Sequence, residues 1–126
     1  MMAVVLEQHA GWHLEREEYA LARILCRKCI EYSPAPRPDA VDKLAGALLG
    51  LGQLDEASAA CKVAIELNYR NKWAWSTLAR IYASRGDNRK ALKCLQSILI
   101  FDPQDADVAE SEKALRLAIA TNAPAR

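Results

Sequence analysis

Along residues 72–105 the apolar positions fall on two helical stripes separated by a glycine. Trp75, Leu78 and Tyr82 recur at the i, i+3, i+7 spacing of one helical face, and Leu95 with Ile98 supplies a facing stripe on a second helix. Ala79 and Ala91 are small enough to let the two helices approach closely, and Gly86 permits the turn between them. The spacing therefore predicts a helix-turn-helix unit, which cannot bury its apolar face alone.

A shift of 34 residues reproduces the pattern. Leu78 lands on Leu44, Ala79 on Ala45, Tyr82 on Leu48, Gly86 on Gly52, Ala91 on Ala57, Leu95 on Cys61 and Ile98 on Ala64, so every packing position keeps an apolar or small residue. Trp75 becomes Val41 and Pro103 becomes Tyr69, which predicts a weaker core in this copy. A more degenerate third copy opens the chain. Aligning Ala22 with Ala91, Cys26 with Leu95, Cys29 with Ile98 and Pro34 with Pro103 places Leu6, His9, Ala10 and His13 on the inner face of its first helix. The one extra residue this requires fits the stretch Ser33-Pro34-Ala35-Pro36-Arg37-Pro38, whose prolines lack amide donors and favour an extended connector.

The run of Trp75, Leu78-Ala79, Tyr82, Ala91, Leu95 and Pro103 resembles the tetratricopeptide repeat, with its pattern of Trp, Leu-Gly, Tyr, Ala, Phe and Pro. Val41 and Tyr69 depart from that pattern in the second copy. The resemblance implies an all-α, right-handed α-solenoid of three repeats, at about residues 3–36, 38–71 and 72–105, in a single domain over residues 1–121. It also implies a capping helix over about residues 106–121. Asp105 suits its N-cap, Asp107, Glu110 and Glu112 lie near its positive end, Lys113 and Arg116 lie further along, and Val108, Leu115 and Ile119 form its inner stripe. Residues 122–126 are expected to fray, and Met1-Met2 and the closing helix are expected to mark natural ends.

Composition narrows the function classes. In 126 residues, 17 basic and 16 acidic side chains are interspersed to a net charge of +1, so no single-sign field recommends nucleic acid or an anionic membrane as partner. No apolar run approaches the roughly 20 residues a membrane-spanning helix needs, and the start Met1-Met2-Ala3-Val4-Val5-Leu6 lacks the charge and length of a signal peptide. The expectation is a cytoplasmic chain. Three of the four cysteines align with core positions, which makes reduced, buried thiols the simpler reading.

One metal constellation competes with that reading. His9 and His13 precede Cys26 and Cys29, giving a helical pair on each arm of one hairpin, and zinc accepts two histidines and two thiolates. Against it, Cys61 occupies the repeat position of Cys26 with no histidine opposite, so packed core is the preferred reading and no metal or other cofactor is expected. Catalysis has less to stand on. No nucleophile has an orienting acid at a suggestive spacing, Leu49-Gly50-Leu51-Gly52 ends a helix rather than cradling phosphate, and Glu15, Glu17 and Glu18 read as a charged turn. No enzyme is expected.

In the family that the repeats resemble, function usually resides on the concave surface made by the first helix of each pair. Carried over by register, that surface takes Val4, Glu7, Gly11 and Leu14 from the first repeat, Asp39, Asp42, Lys43, Gly46 and Leu49 from the second, and Trp73, Ser76, Thr77 and Arg80 from the third. Trp73 is the leading candidate, because Trp75 takes the core position and a rotation of about 200° puts Trp73 on the other side of the helix. Packing of Trp73 near Leu67 and Tyr69 is the competing reading.

Family members that grip the C-terminal carboxylate of heat-shock chaperones use a Lys, two Asn, a Lys and an Arg. Glu7, Gly11, Lys43, Trp73 and Thr77 stand at those positions and none keeps the expected type. The resemblance thus implies a scaffold or adaptor for a peptide or helical segment of another protein, one carrying a basic group for Asp39 and Asp42 and an apolar anchor. A chaperone for a secretion substrate and a homo-oligomer stacked through its end faces are the alternatives.

Overall fold

The helical stripes read from the sequence are helices in the folded chain. The computed structural model describes residues 2–35 and 37–122, and all side chains in that range except those of Met2, Ala3 and Asn122. Among the described residues seven helices follow one another: α1 (Met2–Glu15), α2 (Tyr19–Tyr32), α3 (Pro38–Gly50), α4 (Leu54–Leu67), α5 (Lys72–Ser84), α6 (Asn88–Phe101) and α7 (Ala106–Asn122). The described residues form no strand, so the fold is all-α, three helix pairs closed by a single helix. Of the expected frayed tail, Asn122 ends α7 and the rest lies outside the described residues. None of the described helices is long and apolar enough to cross a membrane.

The turn inside each pair is made at one repeat position. Gly52 and Gly86 hold φ of 76° and 80° there, the left-handed conformation that a residue without Cβ adopts at no steric cost. In the first pair that position is Glu17, with φ of 60°. The connector that follows α2 is extended at Ser33 and Arg37, and Pro38 occupies the first turn of α3, where its missing amide costs no helical bond. Pro36 lies outside the described residues.

The helices group into two compact units, Met1–Tyr69 and Arg70–Arg126. In unit 1, α1 packs on α2, α2 on α3 and α3 on α4. Its interior is made largely of small side chains: Ala10, Ala22, Cys26, Cys29, Ala40, Ala45, Ala47, Ala57, Cys61 and Ala64 are fully buried, and Leu48 is the largest side chain among the completely enclosed ones. Cys29 and Ala40 pack together with Leu6 against them, which joins the first three helices. Gly50 is required by a close approach: a Cβ there would meet the Tyr19 ring at 2.5 Å. No side chain caps the N-terminus of α2, α3 or α4.

Unit 2 is filled with larger groups. Leu78, Ile81, Leu95, Ile98 and Val108 are buried beside Ala74, Ala79, Ala91 and Cys94. Each of its helices has a side-chain cap: Asn71 accepts from the Ala74 amide at 3.1 Å, Asp87 from Lys90 at 3.2 Å and Asp105 from Val108 at 3.1 Å. The Lys72 ammonium reaches Asp102 at 2.8 Å and Asp105 at 2.7 Å, tying the start of α5 to the loop between α6 and α7. These bonds raise the pKa of Lys72 above its ordinary value. The Lys72 bond first, and the backbone amide of Val108 second, hold the Asp105 carboxyl below the usual carboxylate range.

Candidate functional site

The first-helix surface has a different character in each unit. In unit 1, Glu7 projects from α1 and is met by Arg37, which stands immediately before α3. Arg37 Nη2 and Nε lie 2.9 and 3.0 Å from Glu7 Oε2, and Lys43 Nζ lies 3.7 Å from Oε1 and 3.5 Å from the Glu7 carbonyl oxygen. Lys43 also crosses Gly11, where a Cβ would touch its Cε and Nζ at 3.4 Å. The Glu7 side chain is left 14% exposed. Three residues expected to face a ligand, Glu7, Gly11 and Lys43, are thus gathered into one internal contact, completed by Arg37, which the sequence reading treated only as connector. Asp39 is exposed in the first turn of α3, and Asp42 and Gly46 are half-buried along it.

The histidine and cysteine pairs do not converge. His9 lies one residue before buried Ala10, which places it about 100° around the helix, and it faces outward. This corrects its expected place on the inner face. His13 turns to the helix end, its Nδ1 3.2 Å from Glu18 Oε1 and its ring edge-on to Trp12 at 4.8 Å. Cys26 and Cys29 are fully buried, and among the described residues no cluster of three or more His, Cys, Asp or Glu could hold a metal ion. Burial first, and the neighbouring Cys29 second, push the Cys26 thiol up to about 12, as befits a thiol packed in the core. All four cysteines are buried.

In unit 2 the same surface is open. Ser76, Ala79, Arg80 and Ala83 of α5 face Asp107, Val108, Ser111 and Leu115 of α7 across a cavity of about 320 Å³, with Leu95 of α6 at its base. The floor is aliphatic, and Ser76, Arg80, Asp107 and Ser111 give it polar edges with one cation and one carboxylate on opposite walls. Ser76 and Arg80 are brought together as their i, i+4 spacing requires. Trp73 is 43% exposed on the same helix.

Thr77 is a correction. It is 2% exposed, because the buried stripe of α5 runs through Ala74, Thr77, Leu78 and Ile81 and is one residue wider than the repeat register implied. A side chain so enclosed offers nothing to a partner. Ala83, Asp107 and Ser111 were not singled out as site residues; the signal that pointed toward them was the inner stripe Val108 and Leu115, which fixes the face that α7 turns to the cavity.

Comparison with known proteins agrees with this architecture. Residues 57–115 match the tetratricopeptide repeat family model. No curated protein matches the chain in sequence. Among solved structures, the first tetratricopeptide repeat domain of human RPAP3 superposes with a TM-score of 0.84 at 20% identity, covering 99% of this chain and 98% of that one. The first such domain of Spaghetti (RPAP3), bound to the HSP90 peptide SRMEEVD, gives 0.84 at 20% identity over 94% of this chain and 93% of that one. The Sgt2 domain from Aspergillus fumigatus gives 0.82 at 18% identity, covering 98% and 82%.

Proposed function

We propose that the chain, whose residues 57–115 match the tetratricopeptide repeat family model and whose fold is that of tetratricopeptide repeat domains, is a scaffold or adaptor that holds a segment of another protein against the cavity between α5 and α7. The observation that carries this reading is the cavity itself: an aliphatic floor with Ser76, Arg80, Asp107 and Ser111 at its edges. Such a site takes an apolar side chain in its depth and fixes the flanking backbone or charges at its rim. Trp73, half-exposed on the same helix, is of the residue type that most often anchors an interface. The preferred segment presents an aliphatic anchor with a carboxylate for Arg80 and an amine or amide for Asp107.

A chaperone-tail ligand is not part of the proposal, although one structural relative is bound to an HSP90 peptide. At the five positions where carboxylate-gripping members need Lys, Asn and Arg, this chain has Glu7, Gly11, Lys43, Trp73 and Thr77. Lys43 is engaged with Glu7, which also holds Arg37, and Thr77 is enclosed.

Affinity enrichment from native lysate, read by mass spectrometry, tests the proposal by comparing the wild-type chain with a Ser76→Trp, Arg80→Glu variant whose helicity and melting match wild type. A partner held by the first and lost by the second supports adaptor function through this cavity. Identical partners on both baits would remove the cavity from the account.

A further inference from the structure

A second groove in unit 2 runs between α6 and α7, on the side where α7 offers Arg116, Ile119 and Ala120 rather than the residues that line the cavity with α5. It encloses about 420 Å³. Leu92, Ile119 and Ala120 make an apolar floor, and Arg89, Lys93 and Arg116 stand around it. The charges of Arg89 and Lys93 are not cancelled within their helix. α6 carries Arg89, Lys90 and Lys93 and no carboxylate, and on α7 Glu112 is spent on Arg116, at 3.0 Å.

Unit 1 shows what sits in the corresponding place. The register that sets Ala22 on Ala91 sets α2 on α6, and α3 then stands to α2 as α7 stands to α6. In unit 1 the next helix, α4, packs on α3 and lies against α2, where Arg27 pairs with Glu56 at 2.6 Å and Arg23 donates to Gln53 at 3.0 Å. Basic residues of one repeat's second helix thus receive the acidic start of the following second helix, whose first turn holds Asp55 and Glu56. By that register Arg23 and Arg27 fall on Leu92 and Gln96, so the groove beside α6 has an apolar residue at the first of these positions and carries its cations alongside, on Arg89 and Lys93; no helix of the described residues fills it.

We propose that this groove is a second docking surface and that its occupant is an acidic amphipathic helix of a partner protein. The partner's aliphatic side chains lie on Leu92, Ile119 and Ala120, and the carboxylates of its first turn pair with Arg89 and Lys93, the same chemistry as the Arg27–Glu56 pair of unit 1 though at neighbouring positions of the helix. Charge selects the occupant. A basic helix meets Arg89 and Lys93, and a purely apolar one leaves both desolvated without partners.

The chain itself supplies a probe of the required chemistry: a fluorescent peptide of residues 53–68 with Cys61→Ala, stapled across the solvent-facing positions 59 and 63 because helices of this length are marginal in isolation. Anisotropy titration with the full chain should give saturable binding. Binding should weaken about tenfold or more in an Arg89→Glu, Lys93→Glu variant, recover toward wild type when the peptide carries Asp55→Lys and Glu56→Lys, and stay unchanged in Arg80→Glu, which alters only the cavity beside α5. Failure of the wild-type chain to bind the peptide would overturn the proposal, as would affinity indifferent to both charge reversals. A dimer in light scattering that dissociates in the Arg89→Glu, Lys93→Glu variant would also overturn it, in favour of a second copy as the occupant.

Discussion

Where unit 2 places Ile81, Leu95 and Ile98 at its buried repeat positions, unit 1 has Ala47, Cys61 and Ala64 in the second repeat, and Cys26 and Cys29 at the last two positions of the first. The contrast extends to the helix ends. Asn71, Asp87 and Asp105 cap all three helices of unit 2, whereas Glu18, Arg37 and Gln53 form no cap bond in unit 1. Even the tight turn differs, glycine at 52 and 86 but glutamate at 17. One repeat pattern therefore sets the helical layout in both units, while side-chain volume and local capping decide how firmly each is held. The proposed ligand cavity lies in the unit with the branched core and capped helices, as a preorganised site requires.

The largest expected effect comes from the core. Ile98→Ala should cost about 2–5 kcal/mol in urea denaturation, and Cys29→Ala, at the same repeat position in unit 1, only about 1 kcal/mol, since a thiol fills far less space than a branched side chain. Equal losses would break the comparison. Next come the caps: Asn71→Ala should remove about 1 kcal/mol by leaving the Ala74 amide without its side-chain acceptor. The turn offers a change in the opposite direction. Glu17→Gly should raise stability by up to about 1 kcal/mol, because it relieves an L-residue of a left-handed conformation.

The smallest effect is on acid sensitivity. The carboxyl of Asp105 is held below its ordinary value in the folded chain, so it contributes stability that is complete above the unfolded value of about 3.9 and lost as pH falls through the lower, folded one. Lys72 has the opposite sign. Its folded pKa is raised, so its contribution is complete below the unfolded value and lost only as pH rises through the folded one, well above neutrality. Melting curves from neutral pH into the acid range should therefore show a loss in wild type that Asp105→Asn reduces, since Asn keeps the cap and removes the titration.

Much of this was legible in the sequence. The 34-residue register located the helix pairs, Gly52 and Gly86 marked two turns, and Asp105 announced the start of α7. Such features are local or periodic, and helical periodicity exposes them. Other features depended on how closely neighbouring helices approach. Glu7 and Arg37 are 30 residues apart with no repeat relation between them, so their ion pair left no pattern to read. Thr77 and Ser76 share a helix and an expected role, yet the width of the buried stripe puts one in the core and the other at the cavity mouth. His9 failed similarly, one residue away from the buried Ala10. Register identifies a helix face; which residues on it remain available is settled by their tertiary partners.

The most direct test of the account is amide hydrogen exchange on the chain with and without the partner retained by affinity enrichment. Slower exchange confined to residues 76–83 and 107–115 on binding is the predicted result, with the α1 and α3 amides around Glu7 and Lys43 unchanged. New protection in α1 and α3 with none in α5 or α7 would contradict it, and would place the ligand on the surface that Glu7, Arg37 and Lys43 close in the free chain.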